Sequence, residues 1–378
     1  MQKSRYKYMQ KHVKGTWVQC YAVENKDKVY LGLQDDDDTC ICYYDSKIER
    51  KWGSNCKLGF YRANCCVIPN KNNSFLLVGW KGDIFAQNGL KQDKYNSNDM
   101  IPNLEKEEPI PLLSNCSLSS ISVIDGQAYV VGAWRTVFRR DGVNSWTCLH
   151  GNDAKEVEKL QKSNRDIGFN DIDGFSKDEI YACGGDGDLW SYDGKKWKAI
   201  DAPTNKAISS ICCASNGKVY IGCYDGTLIE GRGSNWKVLK ENLNMEHDVY
   251  FLEDMIWYQD NLYIACGKYG LYIYDGKSIS TVSGLTSMGS ILGKEEMLSD
   301  GIDRALNAGG MSEEDINLTN VMSTMKMKND DILLAPSILS TDGDILLVGD
   351  SNRVVAFNGK EWKMFFRTYP SDEGGKLW

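Results

Sequence analysis

The chain has 378 residues, 42% hydrophobic and 25% charged, a composition that excludes a disordered or collagen-like chain. Its net charge of -8 and pI of about 5.2 argue against a nucleic-acid binder, which would normally carry a basic face. They favour a basic protein partner instead. The 36 glycines, 20 tyrosines and 11 tryptophans favour a β-rich fold with many tight turns.

The N-terminus and the cysteines indicate the compartment. Residues 1–5 lead into polar sequence, so we expect no signal peptide and no membrane contact. The 13 cysteines show no repeated spacing, and an odd, irregular set favours reduced thiols in the cytoplasm. The three histidines are scattered, so we expect no metal site and no cofactor.

A repeated pattern is visible from the N-terminus to the C-terminus. Each copy has an apolar strand that ends in glycine, a short polar turn and a second strand, as in Ile180–Trp197 and Val219–Trp236. The glycines recur mostly at intervals of about 40 to 50 residues, the length of a four-stranded propeller blade. They are Gly32, Gly79, Gly132, Gly184, Gly222, Gly267 and Gly349.

This pattern predicts an all-β fold, a single closed β-propeller of seven four-stranded blades over about residues 15–366, with a C-terminal tail at 367–378. Four tryptophans follow their glycines by 13 or 14 residues and are expected to pack between blades. They are Trp146, Trp197, Trp236 and Trp362. The last interval is much longer than the others. It predicts an insertion at about 284–331, between the last two blades.

The insertion resembles a helical segment. Ser312–Asp315 is similar to a capping box, and Leu318, Val321, Met322 and Met325 follow at helical spacing. A methionine-rich amphipathic helix can repack against a partner. The same helix could equally cap the propeller with its apolar face down, and the sequence does not separate these roles.

The repeated units resemble those of bacterial WD-repeat and YVTN/BNR-like propellers. The Gly-His and Trp-Asp signatures of true WD repeats are absent, so the resemblance bears on the fold more than on the function. Stand-alone cytoplasmic propellers of this kind resemble members of bacterial competition systems. That resemblance implies an immunity protein that blocks an antibacterial toxin.

Loop lengths predict which face of the ring binds a partner. The turns between the first and second strands of each blade are short, as at Asp125–Gly126. The long connections, at about 53–62, 97–116, 150–167, 240–248 and 284–331, all fall between one blade and the next. These connections share a face with the turns between the second and third strands, and insertions on one face favour a binding surface.

The expected partner-binding residues combine this face with the insertion. Aromatic residues and arginine dominate protein interfaces. The run of four aspartates, Asp35–Asp38, could equally be a solvated hairpin tip. The residues are Asp35, Asp36, Asp37, Asp38, Trp80, Lys81, Trp134, Arg135, Asp186, Tyr224, Asp225, Lys268, Tyr269, Asp350, Met322 and Met325.

Three functions are compatible with these features. The favoured one is a non-catalytic protein-binding propeller, monomeric on its own, that neutralises a toxin. The second is a hydrolase or lyase, for which Asp171 and Asp173 could line the mouth of the central channel, beside Asp186 and Asp225. The third is an assembly or scaffold factor within a larger complex, which the sequence does not distinguish from the first.

Overall fold

A computed structural model describes residues 13–36, 38–48, 51–69, 74–93, 96–151, 153–162, 167–241, 243, 252–286 and 332–368. They form seven four-stranded antiparallel sheets, each with its strands in chain order. These are the seven blades, with strands a to d from the axis outward. This confirms the predicted propeller.

The first four blades have the following strands. They are β1 (Trp17–Asn25), β2 (Lys28–Gln34), β3 (Thr39–Asp45) and β4 (Trp52–Cys56); β5 (Ala63–Ile68), β6 (Ser74–Gly79), β7 (Ile84–Asp93) and β8 (Asn96–Glu107); β9 (Leu118–Ile124), β10 (Gln127–Gly132), β11 (Thr136–Gly142) and β12 (Ser145–His150); and β13 (Phe169–Ser176), β14 (Glu179–Gly184), β15 (Leu189–Tyr192) and β16 (Trp197–Ala199).

The remaining three blades are separated by a small two-stranded sheet. The strands are β17 (Ile208–Cys213), β18 (Val219–Cys223), β19 (Leu228–Arg232) and β20 (Asn235–Lys240); β21 (Asp254–Tyr258), β22 (Asn261–Ala265), β23 (Leu271–Tyr274) and β24 (Ile279–Thr281); the sheet of β25 (Leu285–Thr286) and β26 (Ile332–Leu333); and β27 (Ile338–Thr341), β28 (Leu346–Gly349), β29 (Arg353–Phe357) and β30 (Trp362–Arg367).

The hydrophobic core lies between the blades. Strand b of each blade is apolar on both faces, as in β10 and β18, because a neighbouring blade covers each side. The buried side chains form seven clusters, each built from two adjacent blades. Trp146, Trp197, Trp236 and Trp362 each pack against one of these clusters, as the sequence predicted.

The ring closes by packing blade 7 against blade 1. All four strands of blade 7 come from the C-terminal part of the chain. Trp52 contacts Phe365 and Phe366, with ring centroids 5.2 and 5.8 Å apart. The Val18 N–H also donates to the Ser351 carbonyl at 2.6 Å.

The repeated glycine at the end of strand b has a steric cause. A Cβ atom added to Gly184 would lie 1.7 Å from the carbonyl oxygen of Gly168, and one added to Gly132 would lie 1.9 Å from that of Ser117. At both positions the connection entering strand a crosses directly over the end of strand b. At these two positions the glycine marks a close approach of two backbone segments, whereas a Cβ atom at Gly32, Gly79 or Gly222 would meet a side chain of the neighbouring segment.

Two predicted connections are wrong in part. Residues 97–107 belong to β8, the outer strand of blade 2, so the connection to blade 3 begins only at residue 108. The predicted connection at 53–62 likewise begins later, because residues 53–56 belong to β4. The β8 sequence is polar and contains Pro102, which an edge strand tolerates because its outer side needs no N–H donor. The hairpin of β7 and β8 exceeds the others in length and exposes Leu90 and Met100 on the face opposite the long connections.

The described helix, α1 (Ala154–Gln161), lies between blades 3 and 4 rather than between the last two blades. Asp153 caps it by accepting the N–H groups of Lys155 and Glu156. The predicted helical segment, with Met322 and Met325, lies outside the described residues. The parallel pairing of β25 with β26 joins the chain before the undescribed residues 287–331 to the chain after them.

The cysteines follow the prediction with one exception. Cys183, Cys212, Cys223 and Cys266 are buried free thiols, and burial raises the pKa of Cys223 and Cys266 to about 12. Cys40, by contrast, is disulfide-bonded. The register of β3 and β4 places Cys40 opposite Cys56.

We expect ring closure to depend on Phe365. Its side chain is fully buried between Tyr44 and Trp52, so Phe365→Ala should lower the free energy of unfolding by about 3–5 kcal/mol. Val143→Ala, at a side chain that is 65% exposed, should change it by less than about 0.5 kcal/mol. Urea denaturation measures both, and equal losses would contradict this closure.

Candidate interaction face and central cavity

All seven turns between strands b and c lie on one face of the ring, because the blades share one strand order and direction. Each connection between blades leaves strand d and enters strand a on that face too, and α1 belongs to one of these connections. We call it the loop face. Most of the predicted partner-binding residues lie in its turns, whereas Asp37, Met322 and Met325 lie outside the described residues.

The acidic turn of blade 1 is ordered by its own carboxylates. Asp35 accepts the Asp38 N–H at 2.7 Å, and Asp38 accepts the Gly59 N–H at 2.8 Å. The buried Gln34 amide donates to the carbonyls of Asp35 and Asp38 at 2.9 and 2.8 Å. Asp35 and Asp38 therefore build the turn, and Asp36 is exposed at its tip.

Trp80 and Lys81 form part of a cationic and aromatic cluster. The Lys81 ammonium lies 4.5 Å from the Trp80 ring centroid, and the Arg62 guanidinium lies 5.8 Å from it. Arg62 also lies 5.7 Å from the ring of Tyr61. The sequence did not single out Tyr61 and Arg62, because they lie in a connection between blades that has no motif.

Trp134 and Arg135 both adopt positive φ angles, at 60° and 59°. The Arg135 guanidinium donates to both carboxylate oxygens of Asp188, at 2.6 and 2.9 Å, and lies 4.8 Å from the ring of Trp190. The Trp134 indole N–H donates to the Asn115 carbonyl at 3.3 Å. Arg135 therefore joins blade 3 to blade 4.

The remaining loop-face residues divide by exposure. Asp186 is exposed, with a φ of 52°, and Tyr224 is 40% exposed. Asp225 lies 3.7 Å from the Lys206 ammonium, and Lys268 lies 5.1 Å from the ring of Tyr269. Tyr269 is buried. Asp350 is also buried, where it pairs with Arg353 at 2.7 Å.

The inner strands of all seven blades surround a central cavity of about 510 Å³. Its lining is rich in hydroxyl and amide groups and includes three half-buried aspartates. The polar lining residues include Asn64, Ser119, Ser120, Ser122, Asn170, Asp171, Asp173, Ser209, Asp254 and Ser337.

The three half-buried aspartates connect neighbouring blades. Asp171 accepts the Ile211 N–H at 2.9 Å, and Asp173 accepts the Cys213 N–H at 2.7 Å. Asp254 accepts the Leu339 N–H at 2.7 Å. In each pair the carboxylate belongs to one blade and the N–H to the inner strand of the next.

Burial also changes the protonation of these groups. Loss of solvation raises the pKa of Asp173 to about 7 and that of Asp254 to about 8, and it raises the pKa of Asp171 as well. The negative charge of Asp171 adds to the shift at Asp254. The Ser210 hydroxyl lies 3.2 Å from Asp171 and 3.5 Å from Asp254. It accepts the Met255 N–H at 3.2 Å.

These contacts bear on the hydrolase or lyase alternative. Asp171 and Asp173 do line the cavity, as that alternative requires, and Asp254 joins them although the sequence did not single it out. Their oxygens accept backbone N–H groups of two blades. Within the described part of the chain no three histidine, cysteine, aspartate or glutamate side chains are grouped to hold a metal. Among the same residues no helix is long and apolar enough to cross a membrane.

Comparison with known proteins finds one curated relative. No protein-family model matches the chain. Over 208 residues the chain is 35% identical to the immune protein Tsi7 of Pseudomonas aeruginosa. The match covers 54% of this chain and 61% of Tsi7, so the matched part spans about three fifths of that relative.

Solved structures share the fold. The WD40 propeller domain of Doa1 matches with a TM-score of 0.55 at 13% identity, covering 92% of this chain and 94% of that one. The WD40 repeats of RRP9 match with a TM-score of 0.54 at 10% identity, covering 93% and 91%. These matches confirm the predicted likeness to WD-repeat propellers, and the similarity to an immune protein is consistent with the toxin-immunity type.

We expect the free energy of unfolding to fall as the pH rises through the pKa values of Asp173 and Asp254. In the folded state Asp173 and Asp254 lose their protons only near pH 7 and pH 8. In the unfolded chain both groups lose them near the ordinary pKa of 3.8. The stability from this protonation is therefore complete below about pH 4. It is lost as the pH rises to about 8, by up to about 1.4 kcal/mol per pH unit and group.

The variant Asp254→Asn isolates one of these groups. It should flatten the fall in unfolding free energy between about pH 5 and 9. It should also cost about 1–3 kcal/mol at pH 5, because the N–H of Met255 or Leu339 loses its acceptor. The control Asp193→Asn lies in an exposed turn where hydrogen bonds lower the aspartate pKa, so it should keep the slope. An unchanged slope in Asp254→Asn would contradict the proposed protonation.

Proposed function

We propose that this chain is a non-catalytic immunity protein that acts in the cytoplasm, where its loop face binds and neutralises a cognate antibacterial toxin. The observation that carries this proposal is the 35% identity to an immune protein. The matched part covers 61% of that relative, so the extension of its role to the present chain is part of the proposal.

Two structural features support a binding role. The loop face collects an exposed acidic turn, Trp80 with two cations, and the exposed Tyr224 on one rigid ring. Aromatic and arginine side chains on a preorganised scaffold lose little entropy on binding. The net charge of -8 favours a basic toxin domain, because opposite charge speeds association.

The central cavity supports a non-catalytic role. A catalytic carboxylate must be free to exchange a proton with a substrate. Asp171, Asp173 and Asp254 instead accept N–H groups from neighbouring strands. Removing such an acceptor would loosen a junction between blades, which supports a structural role for these carboxylates.

The test is protection of bacteria that express the toxin encoded beside the gene of this chain. The wild-type chain should restore growth and form a stable complex, measured by size-exclusion chromatography and calorimetry. Failure of both would contradict the proposal. Co-purification with a multi-subunit machine and no protection would favour the assembly-factor alternative.

A pair of variants tests the face. Trp80→Ala on the loop face should weaken toxin binding by at least about tenfold, as expected for an interface tryptophan. Leu90→Ser with Met100→Ser, on the exposed hairpin of the opposite face, should change the Kd by less than about twofold, since exposed residues outside an interface contribute little. Both variants should keep the wild-type melting temperature within a few degrees. The reverse order of effects would move the binding site to the hairpin.

A further inference from the structure

One group on the loop face is cationic, although the chain as a whole is acidic. We call it the Trp80 cluster: Tyr61, Arg62, Trp80 and Lys81. Arg62 and Lys81 are exposed, and Tyr61 and Trp80 are half-buried. The guanidinium and the ammonium both lie within 6 Å of the Trp80 ring centroid, so two positive charges share one aromatic surface.

Arg62 differs in its contacts from five other arginines of the described residues. Five arginines have a carboxylate oxygen within 3.0 Å: Arg135, Arg139, Arg140, Arg232 and Arg353. For Arg62 the contacts of the guanidinium are the rings of Tyr61 and Trp80. Among the described residues no carboxylate lies within 4.0 Å of Arg62 or Lys81, so their charges are not neutralised within that part of the chain.

The cluster is held in place by the ring. The Arg62 N–H donates to the buried Gln34 side chain at 2.8 Å, and the Trp80 N–H donates to the Arg62 carbonyl at 2.8 Å. Lys81 donates to the Cys116 carbonyl at 3.3 Å. Arg62 has a φ of 50°, an uncommon conformation for a residue with a side chain. These bonds fix the backbone from which the Arg62 side chain projects and hold the Lys81 ammonium near Cys116.

We propose that the Trp80 cluster binds a carboxylate on an acidic segment of the partner protein, with Arg62 and Lys81 as its donors; this assignment rests on the proposed function. A guanidinium presents a planar fork of N–H donors that matches a carboxylate at two points. The Arg62 guanidinium lies over the Trp80 ring, and the residue remains exposed to a partner. Arginine and tryptophan together are the residue types that most often dominate the energy of an interface.

A phosphate has the same charge and similar geometry, but the surroundings disfavour a nucleic acid. The acidic turn with Asp35 and Asp36 is joined to Arg62 through Gln34. Asp186 and Asp225 lie elsewhere on the same face. A polyphosphate backbone crossing the face would meet these charges and be repelled, whereas a single carboxylate can reach the cluster alone.

The experiment uses the full chain and the toxin encoded beside its gene. Arg62→Glu combined with Lys81→Glu should raise the Kd for the toxin by at least about tenfold, because it places two negative charges against the partner carboxylate. The control, Lys195→Glu with Lys196→Glu, makes the same change of charge on exposed residues of the opposite face and should leave the Kd within about threefold of wild type. Equal melting temperatures exclude misfolding as the cause.

A second readout identifies the chemistry. A zero-length carbodiimide cross-links an amine to a carboxylate in direct contact, so mass spectrometry of the complex should find Lys81 joined to an aspartate or glutamate of the toxin. A complex that forms without this cross-link, and whose Kd is unchanged by the double substitution, overturns the assignment while leaving the proposed function intact. Tight binding of a short single-stranded RNA that the double substitution abolishes also overturns it. Absence of any complex with the wild-type chain contradicts the proposed function itself, and the assignment falls with it.

Discussion

The packing of each blade against its two neighbours is the interaction on which the rest of this structure depends. A four-stranded sheet with apolar side chains on both faces cannot bury them alone, and here every buried cluster is shared between adjacent blades. The cluster of Trp52, Phe365 and Phe366 completes the circle, so no blade has an uncovered face. Closure also fixes the direction of every strand. That direction brings seven turns and the connections between blades to one face and leaves the β7–β8 hairpin on the other.

The centre of the ring meets a different constraint. Each inner strand is an edge strand, so its N–H groups on the side away from strand b have no partner in their own sheet. Such groups are costly to bury unpaired. Side chains of the neighbouring blade satisfy several of them, as Asp171, Asp173 and Asp254 do. Asn64 and Asn170 perform the complementary task by donating to carbonyls of the next blade, both at 2.8 Å. A carboxylate near the axis thus has a structural role that needs no substrate, and burial favours its protonated form.

Much of this fold could be predicted from the sequence because its determinants are local. The repeated glycine marks a position with no room for a side chain, as at Gly132 and Gly184, and turns such as Asp125–Gly126 have the positive φ angles that Asp-Gly favours. Features that depend on residues far apart could not be predicted in the same way. The Arg135–Asp188 pair joins two blades, and β8 is polar because one side of it faces solvent. Arg62 belongs to no repeat, and only its position over Trp80 distinguishes it from any surface arginine.

The loop face therefore combines two kinds of charge with different reach. The net negative charge of the chain acts over roughly a Debye length, about 8 Å at physiological salt, and is weakened further as salt is added. It can attract a basic partner but cannot fix its orientation. Two cations beside one indole ring act at contact distance, where a paired carboxylate must lie in a definite direction. A partner that is basic overall, and that carries one acidic segment, would be attracted by the first and oriented by the second. Under the proposed function, the opposite signs of charge on this face are complementary parts of one recognition surface.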